Sequence, residues 1–315
     1  LIGLTAVNTF KPGLEQGEPN QSVKAAIEEQ AARMSESGES VKSLGKVEKA
    51  KNDGFGPIAD IFKRMFPPNV VEAAAKGQML GLIVFALLFA VAMTKLGGTT
   101  GQTMVSVFHG LNDIMITITH WVMLAAPIGI FGLVTPTIAS AGGEIFGALA
   151  RYFVTVVAAL GTHFLIAMPL ILLLIGKVNP LRHYAAMKEA LLTAFSTASS
   201  SATLPLTMDC VQENAGVSKR VSSFTLPLGA TVNMDGTALY ECVAVIFVAQ
   251  VLGYDFSLAT QVSIVILALL TSIGVAGVPS ASLVAIVVIM QSVKIEGAEA
   301  AIAVLFSVDR LLDMS

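Results

Sequence analysis

The chain has 315 residues, of which 54% are hydrophobic and only 13% are charged, and its formal net charge is -3. Because a soluble domain usually carries about 25% charged residues, this composition indicates a polytopic membrane protein. The absence of a basic face excludes nucleic acid as a partner, and two cysteines provide neither a disulfide framework nor a metal-ligand spacing.

The first 76 residues predict the end of a membrane helix followed by a polar segment. Residues 1–13 are apolar up to a Lys-Pro-Gly stop, and we expect the natural chain to extend beyond this end. Residues 14–76 predict an extracellular loop. Its stretch 14–54 lacks an apolar stripe, which favours a solvated and largely mobile chain. Residues 60–66 fit either a short amphipathic surface helix or a plain turn.

Three apolar stretches follow that predict membrane helices, which need about 20 residues each. Two of them lie in residues 77–141, and the third lies in residues 146–176. Residues 101–139 are too long for one straight crossing and contain Pro127, so we expect a tilted or kinked helix there.

Two later segments combine an apolar context with a run of small residues that closes on a proline. Residues 181–214 contain the hydroxylated run 196–205, and residues 259–294 contain the run 274–282. Each segment predicts two half-helices joined by an extended tip, which enters the membrane without crossing it. Lys and Arg residues precede the first hairpin, which predicts that this hairpin enters from the cytoplasmic side. Residues 252–261 have no Lys or Arg, which predicts that the second hairpin enters from the outer side. The alternative for the serine run is a helix-packing face.

Residues 221–253 form an apolar stretch with a polar centre, which includes Asn233 and Asp235. A carboxylate near the middle of a membrane costs about 2.5–3.5 kcal/mol, so it is rarely found there without a task. Pro227, Gly229 and Gly236 weaken the helix around this centre and predict a broken helix that forms an ion and solute site. The alternative is a polar pair that only joins helices. The sequence therefore predicts an all-α polytopic membrane protein, an inverted-repeat transporter with two re-entrant helical hairpins and broken helices.

Four motifs in these segments carry a family resemblance. They are SSSATLP at 199–205, PLGATVNMDGTALYE at 227–241, SIGVAGVP at 272–279 and VDRLLDM at 308–314. From about Asp60 onward the chain resembles the dicarboxylate/amino acid:cation symporter family, which includes excitatory amino acid transporters, neutral amino acid exchangers and archaeal aspartate transporters.

The resemblance implies a homotrimer in the plasma membrane. It implies that 1–13 ends the third membrane helix and that 77–141 forms scaffold and trimerisation helices. Residues 142–315 would form a transport domain that moves like an elevator, with 298–315 as the start of its eighth helix. The implied function is sodium-coupled transport of glutamate or aspartate. No catalytic residue is implied, so we expect a transporter and not an enzyme.

The resemblance also implies site residues. The sodium ions would be held by backbone carbonyls and by two side chains, those of Asn233 and Asp235. The residues that would supply the carbonyls are Gly229, Thr231, Asn233, Ser272, Ile273 and Val275. The substrate would contact Ser199, Ser200, Thr237, Val278 and Asp313, the last through its ammonium group. Independently of the family, sodium is a hard cation that prefers oxygen ligands, and helix N-termini at hairpin tips favour a carboxylate. Asp309 shares a helical face with Asp313, and we favour a structural hydrogen-bonding role for it.

Glu241 predicts that a proton is coupled in addition to sodium, because proton-coupled members of the family that this chain resembles have Glu at this position. Burial disfavours the charged form of a carboxyl group, so this side chain is a candidate for proton uptake. Many members carry Arg where this chain has Ala198 or Met314. The position that separates acidic from neutral substrates would follow Ser315, and we expect the natural chain to continue there.

Other functions stay open on the sequence. A C4-dicarboxylate or a neutral amino acid is the alternative substrate within the same fold, although Asp313 favours a substrate with an amine. An intramembrane protease that uses Asp235 with Asp309 is a distant alternative, but the chain has no Gly-x-Gly-Asp segment and its serines have no placed base. The four histidines are scattered, which favours structural roles.

Overall fold

A computed structural model of the chain describes residues 1–36, 66–75, 79–111, 144–274 and 282–313, with single positions between 112 and 143. The chain divides into two compact units, one from Leu1–Asn52 with Thr137–Ser315 and the other from Asp53–Pro136. Helices form nearly all of the regular structure in the described ranges, which confirms the predicted all-α class.

In chain order the elements are α1 (Ile2–Phe10), β1 (Leu14–Glu15), β2 (Glu18–Pro19), α2 (Gln21–Glu36), α3 (Val70–Ala75), α4 (Met79–Met93), α5 (Glu144–Thr162), a π-helical segment (His163–Ala167), α6 (Met168–Leu174), α7 (Pro180–Thr197), α8 (Ser200–Asp209), a second π-helical segment (Cys210–Asn214), α9 (Lys219–Val232), α10 (Asp235–Leu252), α11 (Leu258–Gly274), α12 (Ser282–Ser292) and α13 (Ala298–Asp313). Residues 98–111 are helical as well.

The smaller unit contains α3, α4 and the helix 98–111. The Asn69 side chain accepts hydrogen bonds from the Val71 and Glu72 N–H groups at 3.0 and 3.2 Å, which caps the start of α3. Helix α4 is apolar all round, as predicted for a membrane helix. The possible surface helix at 60–66 and most of the stretch 101–139 after residue 111 lie outside the described residues.

Helix α5, the first π-helical segment and α6 form one continuous helical stretch, which matches the predicted helix 146–176 except for the π-helical interruption. Within the described residues, Phe146–Leu174 and Lys219–Leu252 are long and apolar enough to cross a membrane. Large apolar side chains such as Leu165 and Leu174 are exposed on the first of these stretches. Such a surface is expected where a helix faces lipid or another protein segment.

The first predicted hairpin is present as α7 and α8. Asn179 caps α7 by accepting hydrogen bonds from the Leu181 and Arg182 N–H groups, and Pro180 follows at the first helical position. At the tip, Ala198 has φ 49°, and Ser199 is extended with φ -145°. Helices α11 and α12 flank the second predicted tip, whose residues 275–281 lie outside the described part of the chain.

The prediction of a mobile segment without an apolar stripe is wrong for residues 21–36, which form α2. This helix packs against α13 and also contacts α10 and α5. The side chains of Val23, Ala26, Ile27 and Ala31 are buried along one face. Two of the four are alanines, so the stripe is weak in hydrophobicity although its spacing is helical. The extracellular location of residues 14–76 stays a prediction.

The N-terminal segment is held against α10 by close backbone contact. The Gly13 N–H group donates to the Gln250 side-chain oxygen at 3.0 Å. A Cβ atom on Gly13 would lie 2.6 Å from the Gln250 Cβ atom and 2.7 Å from the Phe247 carbonyl oxygen. The Asn8 amide donates to the Gln261 side-chain oxygen at 2.6 Å. These contacts attach α1 and the following turn to α10 and α11, and only glycine fits at position 13.

Candidate functional site

The predicted broken helix is present, and its break lies at Asn233 and Met234. Their backbone angles (φ -100°, ψ 64° and φ -104°, ψ 54°) are not helical, so α9 ends at Val232 and α10 begins at Asp235. The Asn233 N–H group donates to the Gly229 carbonyl at 3.0 Å, which closes the last turn of α9. The final carbonyls of a helix have no partner within that helix. The break therefore collects backbone oxygens, including that of Thr231, beside a carboxylate.

Asp235 occupies the first position of α10. A carboxylate at a helix N-terminus is favoured by the helix dipole. The side chain is 38% exposed, and its Oδ2 atom lies 2.5 Å from the Nε2 atom of His163 in the first π-helical segment. A Cβ atom on the neighbouring Gly236 would lie 3.8 Å from Leu160, so α5 and α10 meet closely at this point. The result is an accessible carboxylate that one histidine contacts.

Glu241 lies deeper, two turns along α10, and is fully buried. Its Oε2 atom accepts a hydrogen bond from the Thr271 hydroxyl of α11 at 2.8 Å. Its Oε1 atom has no hydrogen-bond partner among the described residues. Burial of a carboxyl group with one open oxygen favours the neutral form, which adds a hydrogen-bond donor to the side chain.

Asp309 of α13 is also fully buried, and it accepts a hydrogen bond from the Tyr240 hydroxyl at 2.8 Å. The Tyr152 ring of α5 stacks on Phe247 of α10 with a centroid distance of 4.5 Å, so α5 packs against α10, and the Tyr240–Asp309 hydrogen bond links α13 to α10. The contact with Tyr240 agrees with the structural role favoured for Asp309 from the sequence.

The first hairpin tip exposes the N-terminus of α8. The Ser199 hydroxyl accepts a hydrogen bond from the Ala202 N–H group at 3.2 Å and thereby caps the helix. Ser200, the first residue of α8, is exposed. The first N–H groups of a helix have no intrahelical acceptor, which makes such a tip a suitable place for an anionic group.

The structure describes only some of the remaining predicted site residues. Thr237 is half-buried in the first turn of α10. Ser272 and Ile273 lie in the last turn of α11, where the Ser272 hydroxyl donates to the Leu269 carbonyl at 3.0 Å. Val275 and Val278 lie outside the described residues, as do the side chains of Thr231 and Asp313.

The packing of the helices brings several of these parts together. Helix α9 contacts α8 of the first hairpin and α11 of the second, and α10 contacts both α11 and α12. Three side-chain contacts that the sequence did not predict are those of His163 with Asp235, Thr271 with Glu241, and Tyr240 with Asp309. The partners in each are at least 30 positions apart, so no local pattern indicates them.

Two helical hairpins on either side of a broken apolar helix, with a carboxylate at the break, define a membrane transporter of the inverted-repeat class. The chain belongs to the sodium:dicarboxylate symporter family, whose model matches residues 1–315. The family and the relatives are transporters and not enzymes.

Curated relatives support this assignment. Excitatory amino acid transporter 3 of Mus musculus is 43% identical over 237 residues, which cover 75% of this chain and 45% of the relative. Neutral amino acid transporter B(0) of Bos taurus is 34% identical over 342 residues, which cover 100% of this chain and 59% of the relative. The human neutral amino acid transporter B(0) is 35% identical over 88% of this chain. The chain spans about half the length of the curated relatives that it matches.

Proposed function

We propose that the protein performs sodium-coupled secondary active transport of an acidic amino acid, glutamate or aspartate. The observation that carries this proposal is the position of Asp235, an accessible carboxylate at the break between α9 and α10. A hard monovalent cation prefers carboxylate and carbonyl oxygens, and the end of α9 supplies the carbonyls. Of the proposed sodium ligands, Asn233 and Asp235 lie at this break, Gly229 and Thr231 lie in the last turn of α9, and Ser272 and Ile273 lie at the end of α11.

The proposed substrate site lies between the hairpin tips and α13. The N-terminus of α8 at Ser200 would bind a substrate carboxylate, and Asp313 at the end of α13 would bind its ammonium group. Thr237 and Val278 would complete the contacts. A neutral amino acid is the second candidate substrate, because relatives named as neutral amino acid transporters match most or all of this chain. A C4-dicarboxylate is disfavoured, because Asp313 would repel it.

The proposed assembly is a homotrimer in the plasma membrane that works by an elevator-like movement. Residues 142–315 would be the moving transport domain, and residues 77–141 would provide scaffold and trimer contacts. The division of the chain into two compact units, with Asp53–Pro136 forming its own unit, supports separate roles for these regions. The attachment of α1 and α2 to the larger unit adds residues 1–36 to the proposed transport domain.

Uptake into vesicles tests the proposed activity. With the intact protein in liposomes, we expect uptake of labelled aspartate only under an inward sodium gradient, with competition by glutamate and not by serine or succinate. A potassium gradient of equal size is the matched control. Sodium-independent uptake would contradict sodium coupling. Competition by serine or by succinate would instead favour the neutral or the dicarboxylate substrate.

We also propose that Glu241 carries a coupled proton. Its full burial, its contact with Thr271 and the lack of a partner for its Oε1 atom among the described residues support a carboxyl group that is protonated in one stage of the cycle. Glutamine would mimic the neutral form permanently. We therefore expect Glu241→Gln to make uptake independent of external pH, whereas the wild-type rate changes with external pH. Thr271→Val, which removes only the hydroxyl contact, should keep pH dependence. An unchanged pH profile in Glu241→Gln would contradict the proposal.

A further inference from the structure

The His163 side chain joins the helical stretch of α5 and α6 to the carboxylate at the break. Its Nε2 atom lies 2.5 Å from the Asp235 Oδ2 atom, and the imidazole is 20% exposed. In the tautomer with its hydrogen on the Nε2 atom, the imidazole donates this hydrogen bond to the carboxylate oxygen. This bond fixes the orientation of one carboxylate oxygen and directs the other away from the imidazole.

The backbone around His163 is built for this contact. His163 begins a π-helical segment, in which the Met168 N–H group bonds to the His163 carbonyl five residues back. A single π-helical turn inside an α-helix rotates the following side chains and is frequent at functional sites. Pro169 has no N–H group to return to the carbonyl five residues back, which is that of Phe164. The interruption therefore leaves a backbone acceptor available beside His163.

The first hairpin occupies that acceptor. The Tyr184 hydroxyl of α7 donates to the Phe164 carbonyl at 2.5 Å, and the Tyr184 and Phe164 rings stack with centroids 4.8 Å apart. The π-helical segment is thus fixed to the hairpin on one side and contacts Asp235 on the other. A chain of direct contacts runs from α7 through Phe164 and His163 to the start of α10.

We propose that His163 is a positioning residue for sodium binding, which holds the Asp235 carboxylate so that its free oxygen faces the cation. Tyr184 supports this arrangement through the π-helical segment. The inference rests on the proposed role of Asp235 as a sodium ligand. A hydrogen-bond partner restricts the movement of a ligating carboxylate before the ion binds. Loss of such a partner typically weakens metal binding 10- to 100-fold.

The test measures sodium binding by thermal stabilisation of the purified intact protein, without transport. Ligand binding to the folded state raises the melting temperature according to ligand concentration and Kd, so a sodium titration of Tm gives the affinity. We expect His163→Ala to raise the sodium Kd about tenfold and His163→Gln, whose side-chain amide can donate the same hydrogen bond, to recover most of the loss. Tyr184→Phe should raise the Kd in the same direction by roughly threefold, because it keeps the ring stacking.

Asp235→Asn and His183→Ala complete the design. His183→Ala removes an imidazole that takes no part in the contact with Asp235, and it should leave the sodium Kd unchanged. If Asp235→Asn weakens sodium binding and His163→Ala does not, the positioning role is overturned while the sodium site stands. If Asp235→Asn leaves the Kd unchanged, the proposed sodium ligand itself fails. Tighter sodium binding in His163→Ala would also overturn the inference, because the imidazole would then compete with the cation.

Discussion

Replacement of Asp235 by asparagine is expected to abolish sodium-driven uptake. The change keeps the shape of the side chain and one oxygen, but it removes the negative charge at the break between α9 and α10. Loss of one partner of a partly desolvated charge pair costs about 3 kcal/mol, which corresponds to roughly a hundredfold in affinity. We therefore expect the half-saturating sodium concentration for aspartate uptake to rise about a hundredfold, beyond physiological sodium.

The control for Asp235→Asn is Asp209→Asn, which makes the same chemical change at an exposed position at the end of α8. This variant should keep the wild-type sodium dependence. Both variants should fold in sodium-free buffer, because neither changes side-chain volume, and Asp235→Asn should lose only the favourable interaction of its charge with the helix dipole and His163. The half-saturating sodium concentration of Asp235→Asn decides the outcome. If it stays within about threefold of the wild-type value, a shift of about 0.7 kcal/mol, the proposed ion site is contradicted.

Replacement of Gly13, in the turn after α1, by leucine is expected to destabilise the larger unit. The new Cβ atom would lie 2.7 Å from the Phe247 carbonyl oxygen, and the backbone of α10 cannot move away as a flexible side chain would. Forcing side-chain atoms into a packed contact costs about 1–3 kcal/mol, and the hydrogen bond from the Gly13 N–H group to Gln250 would be lost as well. We expect a lower Tm in detergent and a smaller yield of folded protein.

Gly147→Ala is the matched control for Gly13→Leu. Position 147 lies in α5, where a Cβ atom would meet no atom within 4 Å. Alanine is also favoured over glycine in a helix by about 1 kcal/mol, so the control should be neutral or slightly stabilising. An unchanged Tm in Gly13→Leu would mean that the N-terminal segment is not held against α10.

Features decided by local residue chemistry could be predicted from the sequence. The polar centre at Asn233 predicts the break in the apolar stretch 221–253. The tip of the first hairpin was predictable from its run of small hydroxylated residues. In each case the residue types at one position determine the backbone there, and the structure agrees.

Features that depend on distant partners could not be predicted in this way. Helix α2 was missed because alanines form half of its buried face, and their burial becomes favourable only against α13. His163 and Asp235 are 72 positions apart. The π-helical turn that presents the imidazole has no strong local pattern besides Pro169, and a proline alone predicts only a kink.

The docking of α1 and α2 has a consequence for the order of synthesis. Their partners are made much later, since Asn8 bonds to a residue 253 positions further along the chain and α2 packs mainly on α13. Ribosomes add about 5–20 residues per second, so α13 emerges roughly 15–55 s after α2. During that time the part of α2 that packs on α13 stays uncovered in the nascent chain. These contacts of the first-made segments therefore form only after α13 has left the ribosome.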